Sequence, residues 1–556
     1  MGIIQIALVL VIFVTLSIFV GRYLYKVMAM EKTKGDFIFD KIDNFIYKIT
    51  GIKNEEMGWK KYALSIIASN VFMCLVVYII LKTQKFHFLN PNGIGNMSSD
   101  LSFNTAISFI TNTNLQHYAG ESGLSYLSQM IAITFLMFTS AATGFCAAIA
   151  FIRGICGKKN FGNFFVDFVR ITTRVLIPFS AVITLLLVWQ GVPQTLRPNE
   201  TVTTIENKLQ DIALGPVASL EAIKHLGTNG GGFFGANASH PFENPTPITN
   251  VIEMLAMMLI PGALVYAFGL YLKNKKQGWA IYAAMSILFL IALGVCYRAE
   301  LIGNPALANI GLSQSMGNME GKEIRFGIAQ SSLFTTVTTA FTTGSVNNMH
   351  DSLTPLGGLV PLWNMMLNVV FGGKGVGFMG MMMYAIITVF ICGLMVGRTP
   401  EFLGKKIEGK EIKLVALAIL IHPILILIPS AIAVVTKSGL AGITNSGFHG
   451  LTQVVYEYAS SAANNGSGFE GLADNTIFWN TSTGLVMLFG RYLSIVILLA
   501  VAGSLAAKRT VPETMATFRT DNKTFVLILI FIVLIIGALT FLPALVLGPI
   551  AEHLTL

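Results

Sequence analysis

Charge is scarce in this chain: Asp, Glu, Lys and Arg make up 12% of its 556 residues, against roughly 25% in an ordinary water-soluble protein. Cysteine is rarer still. Cys74, Cys146, Cys156, Cys296 and Cys392 are odd in number and scattered, which argues against a disulfide framework and offers no metal-ligand spacing. Long polar stretches are also missing. The longest are 26–61 and 191–224, too little for a large water-soluble domain.

What fills the space is apolar. Hydrophobic residues reach 54%, and a membrane-spanning helix needs about 20 of them in near-continuous order. Ten candidate spans run over 3–25, 62–83, 126–152, 172–190, 249–272, 279–298, 356–397, 412–436, 482–506 and 523–549. The seventh is too long for one pass and is interrupted. The chain reads as an all-α polytopic membrane protein embedded in lipid. Its first span has no Lys or Arg before it and Arg22, Lys26, Lys32 and Lys34 after it, the reverse of a secretory signal's charge order, so it reads as a retained anchor.

Basic residues orient the spans, because cytoplasmic loops carry the excess of Lys and Arg. Loops 22–61, 153–174, 273–276, 398–413 and 508–523 hold 26 of the 37, the opposite loops 9, and Lys374 and Arg491 fall inside spans. Both termini are therefore expected outside. Acids lean the other way, 16 of 28 outside. The net charge of +9 thus reports topology rather than nucleic-acid binding, and an acidic mouth would concentrate cations locally.

Between each even-numbered span and the next odd-numbered one lies a short segment, too short to cross, that ends in small polar residues. The four read SFITNTNLQ at 108–116, AIKHLGTNGGGFF at 222–234, SLFTTVTTAFTTGSVNN at 332–348 and YEYASSAANNGSGF at 456–469. Aligned, their tips are Asn112-Thr113-Asn114, Thr228-Asn229-Gly230, Thr342-Thr343-Gly344 and Asn464-Asn465-Gly466, and the third positions are separated by 116, 114 and 122 residues. The spacing predicts four pseudo-symmetric repeats of helix, re-entrant pore loop and helix around a central pore. They divide the chain into an anchor helix and cytoplasmic loop at 1–61, repeats at 62–152, 172–272, 279–397 and 412–506, and a C-terminal helix at 523–556.

Non-helical backbone survives at membrane depth only where protein buries it or it lines a wet cavity, so four tips should meet on one axis. Their carbonyls would then replace the hydration shell of a cation. Glycine is expected at the third position because turning a carbonyl inward passes through positive φ. Asn114, the exception, is a residue type that enters left-handed space readily. Phe233 and Phe234 are expected to pack the rim. A phosphate cradle at HLGTNGGGFFGAN is disfavoured, since no GxxxxGK[ST] follows.

The tips, the phrase HLGTNGGGFFGANASHPFENPTP at 225–247, GRTPEFLGKKIE at 397–408 and the ten-span layout resemble the KdpA family, the potassium-binding, channel-like subunits of the Kdp potassium-transporting P-type ATPases. The resemblance covers essentially the whole chain. More distantly, the four-repeat plan is similar to the Trk, Ktr and HKT potassium transporters. The resemblance implies K+ as the bound and transported ion, no organic cofactor, and ATP bound by a partner. It implies as partners a P-type ATPase catalytic subunit, a single-span accessory subunit and a very small hydrophobic one, in a bacterial cytoplasmic membrane. This chain has no DKTGT motif, so it is expected to be the non-catalytic subunit. It departs from the family at Thr342-Thr343, where Ser-Cys is common, and at Asn368, where a Glu is common.

Below the tips, FGGKGVGF at 371–378 places Gly372, Gly373, Gly375 and Gly377 within eight residues, each costing a helix roughly 1 kcal/mol relative to Ala. An unwound loop under the third tip is expected, acting as a gate or simply as a packing kink. Lys374 at its centre either opposes cation leak or snorkels to the inner surface. Arg491 lies mid-span, where a charge reads first as functional; it is an electrostatic barrier below the tips or a structural partner of a loop carbonyl. Gln116 is placed to take a partly hydrated ion or to cap its loop. His225, His240 and His422 look solitary and are read as packing residues. Two rivals remain at this point: a stand-alone Trk/Ktr-like potassium channel or symporter, and a polytopic transferase acting on a lipid-linked substrate.

Overall fold

Ten helices among the described residues are long and apolar enough to cross a membrane: Gly2–Met28, Trp59–Phe86, Ser128–Ile155, Phe164–Trp189, Pro247–Tyr271, Lys275–Asn309, Val376–Val396, Gly409–Ala433, Ile477–Ala506 and Lys523–Thr555. They are the ten expected spans in a computed structural model that describes residues 2–512 and 517–556. Residue 1 of the anchor and residues 513–516 of the expected cytoplasmic loop 508–523 lie outside the described residues. Several spans begin earlier than their apolar runs do. The fourth opens where Asn163 Oδ1 accepts from Phe165 N and Val166 N, and the ninth where the Thr476 side chain accepts from Trp479 N. A polar cap, not hydropathy, sets each start.

The seventh span is broken as expected. An upper helix, Pro355–Leu367, stops before residues 368–375, and the lower helix resumes at Val376. Four shorter helices, Ser99–Ile110, Val217–Leu226, Gly327–Ala340 and Gly447–Ala463, sit between consecutive spans and end inside the molecule. Each is a pore helix flanked by two spans.

Burial separates inner from outer helices. The third and fifth spans have 89% and 83% of their most apolar stretch inside the protein, the first and eighth only 17% and 28%. Small residues explain the close inner packing, since lipid supplies no hydrophobic drive between helices and near approach of backbones must do so. Gly490 is one such point: a methyl group there would lie 2.6 Å from the carbonyl of Ala462, so the ninth span rests directly on the fourth pore helix.

The loops are pinned by ion pairs. Arg153 binds Asp167 at 2.6 Å. On the helix Asp36–Thr50, Asp36, Asp40 and Asp43 hold Arg174, the first two at 3.0 and 2.5 Å. The expected acidic mouth draws on fewer acids than their number outside suggests, because Glu221, Glu243, Glu253, Glu300 and Glu457 are buried, while Glu470 and Asp474 face the space above the tips. Lys224 lies 2.8 Å from Glu221 and 2.7 Å from Glu243, and Lys322 lies 2.6 Å from Glu300. Buried charges are retained where they are paired, so these acids are internal struts and contribute little to a surface field.

Candidate functional site

All four pore helices end by the same device. The residue leaving the helix is left-handed in each: Asn112 (φ 65°), Thr228 (47°), Thr342 (50°) and Asn464 (55°). The following N–H then turns back to a carbonyl five residues earlier, Thr113 to Ser108 at 3.0 Å, Asn229 to Lys224 at 2.9 Å, Thr343 to Thr338 at 2.7 Å and Asn465 to Ser460 at 2.9 Å. This is the Schellman closure. It stops each helix abruptly and leaves its C-terminal end, carrying about half an elementary negative charge, aimed inward. Sequence reading expected positive φ at the third tip position. Asn114 (61°), Gly344 (92°) and Gly466 (104°) meet that expectation. Gly230 is absent from the left-handed set, so its glycine answers a different need.

That need is proximity. The Gly230 N–H donates to Thr113 O at 3.2 Å. A methyl on Gly230 would lie 2.7 Å from Thr113 O and 2.8 Å from Asn465 O; one on Gly344 would strike Asn465 O, and one on Gly466 would strike Thr113 O. Residues of all four tips therefore meet on one axis, with second-position carbonyls among third-position glycines.

Most side chains of the tips brace the collar, while Asn114 lines the recess above it and neither its amide nor the Thr343 hydroxyl has a hydrogen-bond partner among the described residues. Asn112 Nδ2 donates to Thr228 O at 2.6 Å, and its Oδ1 accepts from Ser140 Oγ at 3.0 Å. Asn464 Nδ2 donates to Thr113 Oγ1 and to Met487 O, each at 3.0 Å, and Asn465 Nδ2 to Thr338 O at 3.0 Å. Asn229 Nδ2 reaches Met137 O at 3.4 Å. Thr343 is fully buried. Gln116 spends its amide oxygen on the Gly232 N–H at 2.8 Å, the loop-capping alternative. Above the tips lies a polar recess of about 250 Å³ lined by Asn114, Gln116, His117, Gly230, Glu470 and Asp474 among others.

Beneath the tips runs the unwound stretch 368–375, with positive φ at Asn368, Phe371, Gly372 and Gly375. The Lys374 N–H donates to Thr228 Oγ1 at 3.3 Å, and a methyl on Gly373 would stand 3.3 Å from Thr342 O. Phe371 stacks on Phe341 with ring centres 4.7 Å apart. Lys374 does not snorkel. Its side chain is buried and Nζ has no hydrogen-bond partner among the described residues, because the segment is walled off on all sides. Arg491 Nη2 donates to Ser140 O at 3.4 Å, the structural partnership. A methyl on Gly144 would sit 2.6 Å from both Arg491 Nη2 and Lys374 O, which places the guanidinium beside the same loop.

The family description "Potassium-transporting ATPase A subunit", KdpA, matches residues 7–554. The chain belongs to the KdpA family. Three relatives named "Potassium-transporting ATPase potassium-binding subunit" cover it end to end. The protein from Clostridium acetobutylicum is 65% identical over 100% of both chains, and that from Geobacillus kaustophilus 60% identical over 99% of both. The relative from Caldanaerobacter subterraneus subsp. tengcongensis is 57% identical over 100% of this chain and 99% of its own. Among solved structures, the potassium transporter TrkH from Vibrio parahaemolyticus has a TM-score of 0.52 at 13% identity, covering 88% of this chain and 97% of that one. That likeness concerns the fold alone, and it fits the distant kinship read from the four-repeat plan.

Set within the KdpA family, the phrase around the second tip has braces that sequence reading passed over. Asn237 is left-handed (φ 56°); its Nδ2 donates to Gly230 O at 2.8 Å and its Oδ1 accepts from Ser345 Oγ at 3.0 Å. His225 is not solitary, since Nε2 lies 2.9 Å from Ser345 Oγ and the ring approaches Glu221 and Glu253. His240 stacks on Phe234 at 3.7 Å and His422 Nε2 meets Met365 O at 2.9 Å, both local roles as expected. Phe233 and Phe234 are buried at the rim. Asn368 ties two tips together, accepting from Thr342 Oγ1 at 3.0 Å and donating to Ala463 O at 3.3 Å. An Asn inside a GANASHP phrase was the one legible signal for Asn237.

Proposed function

We propose that this chain captures K+ from the extracytoplasmic side at the four tips and passes it, within the membrane, to a P-type ATPase subunit that binds ATP and powers uptake. The observation that carries this reading is the convergence of four Schellman-closed pore helices, with Thr113 O and Asn465 O among Gly230, Gly344 and Gly466. Carbonyls held at such spacing exchange for water around a monovalent cation, while inward C-terminal helix ends favour positive charge. Asn112, Thr113, Asn114, Thr228, Asn229, Gly230, Thr342, Thr343, Gly344, Asn464, Asn465 and Gly466 form this collar, and Gln116 fixes the loop above it. No organic cofactor is needed for this role.

In this reading the loop Gly372-Gly373-Lys374-Gly375 is the floor of the collar, and Lys374, with Arg491 beside it, opposes straight passage of a cation. The names of the relatives support an ATPase assembly. A single-span subunit, a very small hydrophobic subunit, lipid contacts, a bacterial cytoplasmic membrane and extracytoplasmic termini complete the proposal. One rival is a stand-alone channel or symporter. Reconstitution separates them: vesicles with this chain alone should not accumulate potassium, whereas the full complex with ATP should. Accumulation by the chain alone would give the rival its case.

A further inference from the structure

Beside the recess above the tips stands a group of residues that the potassium reading does not use. His117 follows the first tip, Glu457 projects from the fourth pore helix, and Asp474 belongs to the loop after the fourth tip. One ligand atom from each lies within 4.8 Å of the others. His117 Nε2 is 3.3 Å from Glu457 Oε1 and 3.7 Å from Asp474 Oδ2. His117 and Glu457 are buried, and Glu457 Oε2 has no hydrogen-bond partner among the described residues.

The tautomer follows from the far side of the ring. Asn480 Nδ2 donates to Asp100 Oδ2 at 2.7 Å and to Asn475 Oδ1 at 3.2 Å, which fixes the amide with its oxygen towards His117. That oxygen lies 2.7 Å from His117 Nδ1, so Nδ1 carries a proton and donates. Nε2 faces the two carboxylates, so a metal that takes the place of its proton meets the ring lone pair and both acids together. Metal-bound imidazoles are oriented in this way by an acceptor on the second nitrogen.

The distances suit a metal site as well as an ion pair. A charge-assisted N–H···O bond runs about 2.7–2.9 Å, shorter than either contact here. Tetrahedral zinc with bonds of about 2.0–2.2 Å puts neighbouring ligand atoms roughly 3.3–3.6 Å apart, close to both. Two carboxylates also balance a divalent charge. The other comparable group, Glu221, His225 and Glu253, is sealed from solvent, and the ring nitrogens of its histidine bond a backbone carbonyl and a serine hydroxyl, not its carboxylates. By contrast, Nε2 of His117 faces its two carboxylates, and His117 and Asp474 line the recess, which gives a metal an entry and an open fourth position.

The geometry points to a divalent transition-metal site of the zinc class, with His117 Nε2, Glu457 and Asp474 as ligands, that joins the first and fourth repeats at the mouth of the collar. The inference is independent of the potassium reading, because its readout is metal binding and not transport. The test is titration of the assembled complex, free of any polyhistidine tag, with zinc chloride, followed by equilibrium dialysis and X-ray absorption at the zinc edge. One zinc per complex at micromolar concentration is expected, in a shell of one imidazole and carboxylate oxygens. His117→Gln and Asp474→Asn should each weaken binding at least tenfold, and Asn480→Ala, acting through Nδ1, about tenfold. Should His117→Gln fail to assemble, Asp474→Asn decides, since that side chain is 24% exposed and its change is mild. Absence of zinc binding at micromolar concentration, unchanged binding in Asp474→Asn, or equal affinity for calcium and magnesium would each overturn the inference.

Discussion

The four tips and the stretch 368–375 are both non-helical backbone at the centre of the bundle, and they are held in opposite ways. Every tip has its exit closed by a Schellman turn, and Asn112, Asn464 and Asn465 lash neighbouring tips or helices together. The stretch below has four left-handed residues, a buried lysine amine with no hydrogen-bond partner among the described residues, and backbone ties to the tips through Gly372 N to Ala340 O at 2.9 Å and Lys374 N to Thr228 Oγ1. Over-determined backbone suits a collar that must keep its spacing, and a left-handed stretch with a buried amine that lacks a hydrogen-bond partner among the described residues suits a part that yields. On the proposed reading, selection belongs to the upper region and control of passage to the lower one.

The contrast breaks most visibly if the collar tolerates bulk. Gly466→Ala and Gly344→Ala put a methyl against the Thr113 and Asn465 carbonyls, so potassium-stimulated ATP hydrolysis by the assembled complex should be lost or need at least a hundredfold more potassium. Wild-type potassium dependence in both would show that the tips are ordinary packed loops. A smaller effect is expected below. Lys374→Met removes a buried amine with no hydrogen-bond partner among the described residues, a group that costs about 1–3 kcal/mol to leave unsatisfied, so the complex should melt at higher temperature while passive potassium leak into ATP-free vesicles rises. Arg491→Ala should leak less than Lys374→Met, because its guanidinium is already engaged with Ser140 O. Unchanged leak in both would remove the electrostatic floor.

Smaller still is the effect of a single brace. Asn112→Ala deletes the bonds to Thr228 O and from Ser140 Oγ, and at about 1 kcal/mol each potassium affinity should weaken by up to about thirtyfold, read by potassium titration of ATPase activity. The last effect lies at the periphery, where His449 joins Asp351 at 3.0 Å and Glu552 at 2.9 Å. Burial alone would lower its pKa, but the hydrogen bonds and charges of the two carboxylates outweigh it and raise the imidazolium to about 10 from 6.5. A raised folded pKa stabilises fully below the unfolded value and loses that stabilisation as pH climbs through the folded one. Melting temperature should therefore fall more steeply between pH 7 and 10 in the wild type than in His449→Gln, by a few degrees.

Much of this architecture was legible because it repeats. Asn, Thr and Gly at a nearly constant period, in equivalent places between apolar runs, announced the four tips, and FGGKGVGF announced the broken span. The left-handed exits at the first tip position, two residues before the expected one, were not legible. Thr228 and Thr342 are β-branched residues in a region that disfavours them, at a strain of order 1–3 kcal/mol, and they stay there because Asn112, Lys374 N–H and Asn368 hold them from elsewhere in the chain. Local propensity carries no trace of such partners. The buried acids failed for a related reason: Glu300 and Lys322 are far enough apart in sequence that only the fold reveals the pair, and loop carboxylates counted one by one look solvated. Lys374 looked free to snorkel because its neighbours above and beside it come from other repeats.

The central claim is that backbone oxygens of four repeats enclose one cation. A density map of the assembled complex in potassium, compared with one in its absence, tests it directly. The account predicts potassium-dependent density on the axis among Thr113 O, Asn465 O and the tip glycines. Density confined to another site at saturating potassium, with none among the tips, would contradict it.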